Sequence, residues 1–272
     1  MPPIPTILVF DSGLGGLTVF REIAKARSAA RFVYAADDAF FPYGRHGESE
    51  LIIRVVAVIG DLISIHSPDL IVVACNTAST IALPELRRRF QVPFVGTVPA
   101  IKPACVASKT KRVSVLGTEA TIAREYTKAL IRDFAQACDV TLVGSASLAA
   151  IAEAALHGEP IDEAALAAEI APCFVGSGEQ RTDTIVLACT HYPLLLDRFE
   201  RQAPWPVAWI DPAPAIARRV TELLRPAPSD GPLHARAVFT SGRPPSAALA
   251  AVLAAFGIAE TTAAFDTPEV SP

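Results

Sequence analysis

The stretch Thr6-Ile-Leu-Val-Phe-Asp-Ser-Gly-Leu-Gly-Gly16 joins a short apolar run to a glycine-rich turn. The run has the length and β-branched content of a buried strand, and the residues after the turn have the apolar spacing of a helix. The same order recurs where residues 70–74 run into Cys75 and where residues 184–188 run into Cys189. Strands that alternate with helices in this way predict an α/β fold with mostly parallel sheets flanked by helices.

The sequence also contains an internal repeat. Pro68-Asp-Leu-Ile-Val-Val-Ala-Cys-Asn-Thr77 aligns without gaps to a second segment when Cys75 is placed on Cys189. Upstream in each copy an apolar strand ends at a hydroxyl residue, Ser12 in one and Thr118 in the other. From hydroxyl to cysteine the copies span 75 − 12 = 63 and 189 − 118 = 71 residues. The repeat predicts two pseudo-symmetric α/β domains, each contributing one hydroxyl and one cysteine.

Proline-rich segments mark where the chain passes between these domains. Pro99 and Pro103 end the first unit, and four prolines surround a short strand within residues 204–214. We therefore predict a discontinuous first domain, residues 1–98 plus 211–272, and a second domain over residues 99–210. Ligands of parallel sheets bind beyond the carboxyl ends of the strands, which predicts an active site in the cleft between the domains.

Four local features are also predicted. The prolines at 99 and 103 are expected to break the chain, after which the strand–helix pattern begins again. A single helix is expected from near Thr121 to about Ala137, and the last dozen residues, which have no periodic pattern, are expected to fray. Residues 13–16 match neither the dinucleotide-binding nor the Walker pattern, so we expect a tightly packed turn there rather than a phosphate cradle.

The composition restricts the class of protein. Hydrophobic residues make up 51% of the 272 residues and charged residues 19%, which is too apolar for a disordered chain. Lys+Arg 24 and Asp+Glu 28 give a formal net charge of −4, unlike a dedicated nucleic-acid binder. The apolar runs are far shorter than the roughly 20 residues of a membrane-spanning helix, and no signal peptide is recognisable. We expect a cytoplasmic protein without membrane or nucleic-acid partners, with its five cysteines reduced.

The two matched cysteines, Cys75 and Cys189, restrict the chemistry. A cysteine hydrolase needs one thiolate, a histidine and an oxyanion hole, which leaves the second cysteine without a task. A redox pair needs its sulfurs within bonding distance, which two domains facing each other across a cleft do not favour. A zinc site needs three or four ligands; the two cysteines and His191 supply three and no fourth is evident, so no metal is expected.

Racemisation is a reaction that requires two matched groups. To invert a carbon stereocentre, one group removes a proton from one face and another delivers a proton to the opposite face. Free thiols, with pKa values of about 8.5, provide one thiolate and one thiol after modest shifts. Helix N-termini lower thiol pKa values, and both cysteines are expected where helices begin. The lysines fall on predicted helices or between the domains, which disfavours pyridoxal phosphate without eliminating a Schiff-base lysine as an alternative.

Four motifs give the sequence a resemblance to a known family. They are Phe10-Asp-Ser-Gly-Leu-Gly-Gly-Leu-Thr-Val19, Phe41-Pro-Tyr-Gly44, Ala74-Cys-Asn-Thr-Ala78 and Ala188-Cys-Thr-His-Tyr-Pro-Leu194. With these motifs in order over essentially the whole chain, the sequence resembles the cofactor-independent glutamate racemases of the aspartate/glutamate racemase superfamily. The resemblance implies racemisation of L- and D-glutamate without a cofactor, supply of D-glutamate for peptidoglycan, and a homodimer.

The resemblance also implies roles for individual residues. Cys75 would exchange the α-proton with D-glutamate, and Cys189 would exchange it with L-glutamate. Asp11 would lie near Cys75 and the substrate ammonium, and His191 would assist Cys189. The positions expected around the substrate are Asp11, Ser12, Pro42, Tyr43, Gly44, Cys75, Asn76, Thr77, Thr118, Thr121, Cys189, Thr190 and His191.

The sequence departs from the family pattern in two places. The family places a carboxylate near the C-terminal cysteine, and Glu153 is the candidate, but the usual proline-containing run before it is replaced by Gly144-Ser-Ala-Ser-Leu-Ala-Ala150. Glu119-Ala-Thr121 stands where a glycine is common before the threonine. Three other interpretations stay open: an aspartate racemase or other superfamily member, a binding or regulatory protein, and a cysteine–histidine hydrolase.

Overall fold

The computed structural model of the protein describes residues 4–224 and 231–263. The strands are β1 Thr6–Asp11, β2 Arg31–Ala36, β3 Leu70–Val73, β4 Phe94–Gly96, β5 Arg112–Thr118, β6 Asp139–Ser145, β7 Gly176–Ser177, β8 Gln180–Arg181, β9 Thr184–Ala188, β10 Ala208–Ile210, β11 His234–Phe239 and β12 Glu260–Ala263. The α-helices are α1 Leu17–Ala26, α2 Glu48–His66, α3 Asn76–Arg89, α4 Ile101–Ala107, α5 Glu119–Ala123, α6 Glu125–Phe134, α7 Leu148–Leu156, α8 Glu163–Ile170, α9 Leu196–Gln202, α10 Ala213–Leu223 and α11 Ala247–Ala255. Within the described ranges, no helix is both long and apolar enough to cross a lipid bilayer.

Two parallel sheets with helices around them form the fold, as predicted. The first has the strand order β12-β11-β2-β1-β3-β4, and the second has the order β10-β9-β5-β6. Every described pairing within these two sheets is parallel. The order β2-β1-β3-β4 corresponds strand for strand to β6-β5-β9-β10, so both sheets share one arrangement. The first sheet is extended beyond it by β11 and β12.

The register of the central strands repeats as well. Phe10 of β1 pairs with Val73 of β3, and Gly117 of β5 pairs with Ala188 of β9. Continued past the strand ends, the first register places residue 12 beside residue 75, and the second places residue 118 beside residue 189. Each sheet therefore presents one hydroxyl residue and one cysteine side by side at its carboxyl edge.

Helices on both faces of the first sheet explain its unbroken apolar strands. In β1, Ile7 and Val9 pack in one cluster with residues of α1, whereas Leu8 and Phe10 pack in another with residues of α2. All four are 0% exposed, and each such side chain contributes roughly 1.5–3 kcal/mol by burial. A strand covered on both faces needs apolar residues at every position, which gives a continuous run instead of an alternating one.

The second sheet is built in the same way on a smaller scale. In β9, Ile185 and Leu187 share a cluster with residues of α7 and α8. Val186 and Ala188 of the same strand share another cluster with residues of α4. The chain passes from the first sheet to the second between β4 and β5, and it returns between β10 and β11. The domain boundaries expected after residues 98 and 210 fall in these two segments and stay predictions.

The break expected at Pro99 and Pro103 lies where the chain passes between the sheets. Helix α4 forms within this passage, with Pro103 as its third residue, where the first turn needs no backbone N–H partner. Two local predictions are wrong. The helix expected to reach Ala137 is two helices, α5 and α6, which meet at Arg124 in extended conformation, and α6 ends at Phe134. Residues 261–263 do not fray but pair in β12 with β11. The pairing with β11 orders a segment that is too short to be ordered by itself. Residues 264–272 lie outside the described residues.

The loop that leads into the second sheet is anchored by Asp183. Its carboxylate accepts hydrogen bonds from Ser108 Oγ at 2.6 Å and from the N–H groups of Lys109 and Thr110 at 2.7 and 2.9 Å. Burial opposes ionisation of Asp183, but these bonds and one from Thr184 outweigh it and lower the pKa of Asp183 to about 2. The ionised carboxylate is therefore favoured in the folded protein.

Replacing this carboxylate tests the anchor. Asp183→Asn is expected to lower the free energy of unfolding at neutral pH by roughly 1–3 kcal/mol, because the hydrogen bonds to a charged acceptor are weakened. Since the folded pKa lies below the unfolded value of about 4, the stabilisation is present above that value and is lost as pH falls toward about 2. Urea unfolding of both proteins across this range measures it, with exposed Asp133→Asn as control. A difference that persists unchanged at low pH would contradict the assignment.

Candidate active site

The carboxyl edges of the two sheets enclose a narrow cavity. Its lining consists of Ser12, Phe41, Pro42, Tyr43, Gly44, Cys75, Asn76, Thr77, Thr118, Thr121, Ala149, Ala188, Cys189, Thr190 and His191. Every residue expected around the substrate is in this lining except Asp11, which lies behind it. Glu153 also lies behind it. Phe41, Ala149 and Ala188 were not expected there. Phe41 and Ala188 belong to motifs quoted above, whereas Ala149 lies outside them, and neither alanine has a side chain that would mark it as a site residue.

Cys75 lies in a buried, hydrogen-bonded position at the start of α3. It is the N-cap residue, its Sγ accepts a hydrogen bond from the Ala78 N–H at 3.5 Å, and it is 5% exposed. Burial and the negative charge of Asp11 raise the pKa of Cys75 to about 12, against the opposing hydrogen bonds of Ala78 and Ser12. The helix N-terminus lowers the pKa of this thiol through the Ala78 N–H, but the net lowering that was expected is wrong, because desolvation is the larger effect.

Asp11 ends β1 beneath Cys75 and is 0% exposed. Its Oδ2 accepts the Gly13 N–H at 3.1 Å, and its Oδ1 accepts the Thr190 hydroxyl of the other domain at 3.2 Å. Burial raises the pKa of Asp11, while the positive charge of His191 and the backbone N–H groups of the turn oppose the rise. The carboxylate thus joins the two halves of the site.

Cys189 has different surroundings. It is followed by a 3-10 turn at Tyr192–Leu195, so the expectation that an α-helix begins at Cys189 is wrong, whereas it holds at Cys75. Its Sγ is 3.8 Å from His191 Nδ1, and His191 Nε2 is 2.7 Å from Glu153 Oε2. Burial disfavours a charged His191, but hydrogen bonds to Cys189 and Glu153, together with their negative charges, raise its pKa well above the ordinary value. The predicted carboxylate, Glu153, is therefore connected to the Cys189 thiol through the His191 ring.

The glycine-rich turn is packed directly against this line of residues. A Cβ at Gly15 would lie 2.5 Å from His191 Nδ1, and a Cβ at Gly16 would lie 2.8 Å from the Asp11 Cβ. The Leu14 N–H also donates to Glu153 Oε2 at 3.0 Å. The turn is tightly packed, as expected, and its backbone N–H groups are directed at the side chains of Asp11, Glu153 and His191.

The loop that carries Tyr43 is held by residues that the sequence did not mark. The Tyr43 hydroxyl donates to Asp37 Oδ2 at 2.6 Å, and Arg54 binds both oxygens of Asp37 at 2.6 and 3.0 Å. Thr240 of the returning chain donates to Asp37 Oδ1 at 2.6 Å. Asp37 is 0% exposed. These residues are far apart along the chain and follow no common motif, so only the folded structure reveals the cluster.

Polar groups without charge face each other across the cavity. Thr77 Oγ1 is 3.5 Å from Thr118 Oγ1 and 3.3 Å from Thr121 Oγ1, and Thr118 donates to Thr121 at 2.9 Å. Asn76 is 3% exposed, yet both polar atoms of its amide lack a hydrogen-bond partner. Buried amides are normally paired, so Asn76 offers a donor and an acceptor to a ligand. Over residues 4–224 and 231–263, no group of three or more His, Cys, Asp or Glu is arranged to hold a metal ion.

Comparison with known proteins identifies the family of this chain. A family model described as Asp/Glu/Hydantoin racemase matches residues 7–220. A glutamate racemase of Brucella ovis is 52% identical over 260 residues, 94% of each chain, and one of Brucella anthropi is 53% identical over 256 residues, 93% of this chain and 92% of that protein. The structure of an Escherichia coli glutamate racemase in complex with L-glutamate and the activator UDP-MurNAc-Ala has a TM-score of 0.86 at 40% identity, over 96% of this chain and 99% of that chain. The chain therefore belongs to the Asp/Glu/hydantoin racemase family.

Proposed function

We propose that this protein interconverts L-glutamate and D-glutamate by moving the α-proton between two thiols. The observation that carries the proposal is that Cys75 and Cys189, at the ends of corresponding strands of the two sheets, line one cavity. Relatives that are 52% and 53% identical over most of the chain are named glutamate racemases. An aspartate racemase is the alternative within the family.

Each turnover exchanges one proton at each thiol. From L-glutamate, the Cys189 thiolate removes the α-proton, forming an S–H bond as the C–H bond breaks. The Cys75 thiol then delivers its proton to the opposite face of the carbanion, forming the new C–H bond and leaving a thiolate. The reverse reaction swaps the roles. The assignment of the L-enantiomer to Cys189 rests on the family resemblance.

The surroundings of the two cysteines suit a starting state in which Cys189 is the base and Cys75 is the acid. The pKa of Cys75, about 12, makes this residue a thiol at neutral pH. The raised pKa of His191 makes it an imidazolium at neutral pH, and its Nδ1 lies 3.8 Å from Cys189 Sγ, where it can donate a hydrogen bond to the sulfur that the scheme uses as the base. A base and an acid therefore face the cavity with no cofactor and no metal in the scheme.

Neutral donors hold the substrate in this proposal. Among the described residues that line the cavity, none is Lys or Arg. The hydroxyls of Ser12, Thr77 and Thr121 and the amide of Asn76 would bind the two carboxylates. The family resemblance puts the substrate ammonium near Asp11, whose carboxylate lies behind the cavity lining. Donors fixed in a buried site stabilise the charge that develops when the α-proton leaves, because they need no reorganisation.

The wider role is part of the same proposal. D-glutamate made here would supply peptidoglycan synthesis, in the cytoplasm, by a homodimer. A cysteine–histidine hydrolase would use only one of the two thiols, and a binding or regulatory protein would show no turnover. Assays with glutamate and with aspartate separate the family alternatives.

Isotope uptake from solvent tests the function. When L-glutamate is incubated with the protein in D₂O, we expect deuterium at the α-carbon of the D-glutamate formed, because the proton that Cys75 delivers has exchanged with solvent. Polarimetry and proton NMR follow the decay of rotation and the isotope together. Prior dialysis against a chelator and treatment with hydroxylamine, which removes pyridoxal phosphate, should leave the rate unchanged. Persistent rotation without isotope uptake would refute the proposal.

Removal of either thiol tests the two-base scheme. Cys75→Ser and Cys189→Ser are each expected to lower kcat/KM by roughly 100- to 10,000-fold, because a hydroxyl is a much poorer proton carrier at neutral pH. Within each variant the loss must be equal for the two enantiomers, since their equilibrium constant is one. Cys138→Ser, half-buried and outside the cavity lining, is the matched control. Wild-type racemisation by either active-site variant would exclude the scheme.

Alkylation tests the resting protonation states. At neutral pH iodoacetamide is expected to modify Cys189 at least about tenfold faster than Cys75, because the thiolate is the nucleophile and the Cys75 thiolate is scarce. Peptide mass spectrometry over time gives both rates, since the two residues have similar burial, 6% and 5%. His191→Asn should reduce the difference by removing the imidazolium. Faster modification of Cys75 would reverse the assignment.

A further inference from the structure

A second, wider cavity lies on the far side of Glu153 from the active site. Phe41 lines both cavities, whereas His191 lines the inner one and its partner Glu153 lines the outer one. The side chain of Glu153 is 13% exposed and that of His191 is 2% exposed. His157 and Arg243, which also line the outer cavity, are exposed. The His191–Glu153 pair therefore connects the buried site with a cavity that meets solvent.

The Nε2 atom of His191 has a partner for each of its protonation states. Glu153 Oε2, at 2.7 Å, accepts a hydrogen bond when Nε2 carries a proton. The Gly15 N–H, 3.2 Å away, donates to Nε2 when it carries none. In either state Nδ1, 3.8 Å from Cys189 Sγ, can donate to the sulfur. The ring can thus lose or gain the Nε2 proton without turning and without leaving a buried nitrogen unpaired.

We infer that Glu153 passes a proton between His191 and the water of the outer cavity, in step with the charge on Cys189. The inference rests on the proposed function and adds a route to it. While Cys189 is a thiolate, the ring carries both protons and balances the charge. When the thiolate takes the α-proton, the Nε2 proton moves to Glu153 Oε2 and then to water; the reverse passage accompanies proton donation by the thiol. The buried pair stays neutral throughout, which avoids the cost of an unpaired buried charge.

The other half of the site lacks such a route among the residues that the structure describes. Asp11 is 0% exposed, lines neither cavity, and is bonded to the Gly13 N–H and the Thr190 hydroxyl. The titratable and charged groups that face the His191 ring are Cys189, Glu153 and Asp11. Those that line the outer cavity with Glu153 are Asp38, His157, Glu159 and Arg243. Proton exchange with this cavity is therefore confined to the Cys189 half.

Exchange of the His191 Nε2 proton with water tests the inference directly. In protein labelled with ¹⁵N-histidine and assigned with His191→Asn, saturation transfer gives the exchange rate at this nitrogen. Glu153→Gln should slow the exchange by roughly 10- to 100-fold, because a positioned carboxylate accelerates a proton transfer by at least that much. Glu159→Gln, which changes the same functional group in the same cavity, should leave the rate at its wild-type value. Equal rates in the wild type and Glu153→Gln would overturn the inference, whereas a purely orienting role of Glu153 predicts that equality.

A second measurement leaves Glu153 in place. Cys189→Ser puts a neutral side chain where the thiolate lies, so His191 should change at neutral pH from the doubly protonated ring to the neutral ring with its proton on Nδ1. The ¹⁵N shifts of the two ring nitrogens distinguish these states. A ring that stays doubly protonated in this variant would overturn the coupling to Cys189.

The two proposals fail in distinguishable ways. If the racemase function is wrong, glutamate shows neither isotope uptake nor loss of rotation, whatever the exchange rate at His191. If only the proton route is wrong, racemisation proceeds and the exchange rate or the protonation state of His191 fails to respond to the substitutions.

Discussion

The site depends on one contact, in which the glycine-rich turn at residues 13–16 packs closely against the second domain. A side chain at Gly15 would begin 2.5 Å from His191 Nδ1, so this approach is open to glycine alone. From the same turn, the Gly13 N–H donates to Asp11 and the Leu14 N–H donates to Glu153. One short piece of backbone therefore orients the carboxylate of each half and holds the two sheet edges close enough to enclose a single cavity.

The two sheets repeat what the reaction geometry needs and diverge elsewhere. Both pair their central strands so that a hydroxyl residue lies beside a cysteine at the carboxyl edge. Beyond that edge the surroundings differ, with a fully buried Asp11 behind Cys75 and a His191–Glu153 pair behind Cys189. The repeated part is backbone register, which sets where the sulfurs lie. The divergent part is side-chain chemistry, which sets how each sulfur holds its proton.

The sheets and the position of the site could be predicted because both follow from local pattern. Strands buried on both faces are continuous apolar runs, and residues at their carboxyl ends must meet at one edge. Glu153 was a candidate only by resemblance, and the structure places it 2.7 Å from His191 even though the run before it departs from the family. Two features were beyond prediction. The cluster of Asp37, Arg54 and Thr240 joins distant parts of the chain, and the pKa of Cys75 depends on a depth of burial that its position at a helix start does not reveal.

The difference between the two half-sites is compatible with a reaction between mirror images. Because the enantiomers have equal free energy, the equilibrium constant is one, and kcat/KM must be the same in both directions however unlike the two bases are. A difference between the two bases can only change the proportions of the two protonation forms of the free enzyme, one with each sulfur as the thiolate. It therefore changes kcat and KM together and leaves their ratio equal in the two directions. A thiol with a pKa of about 12 on one side and an imidazolium beside the thiol on the other therefore favour one resting form without biasing the product. The proposed two-thiol scheme requires opposed sulfurs at a common carbon; it does not require that the groups supporting those sulfurs be alike.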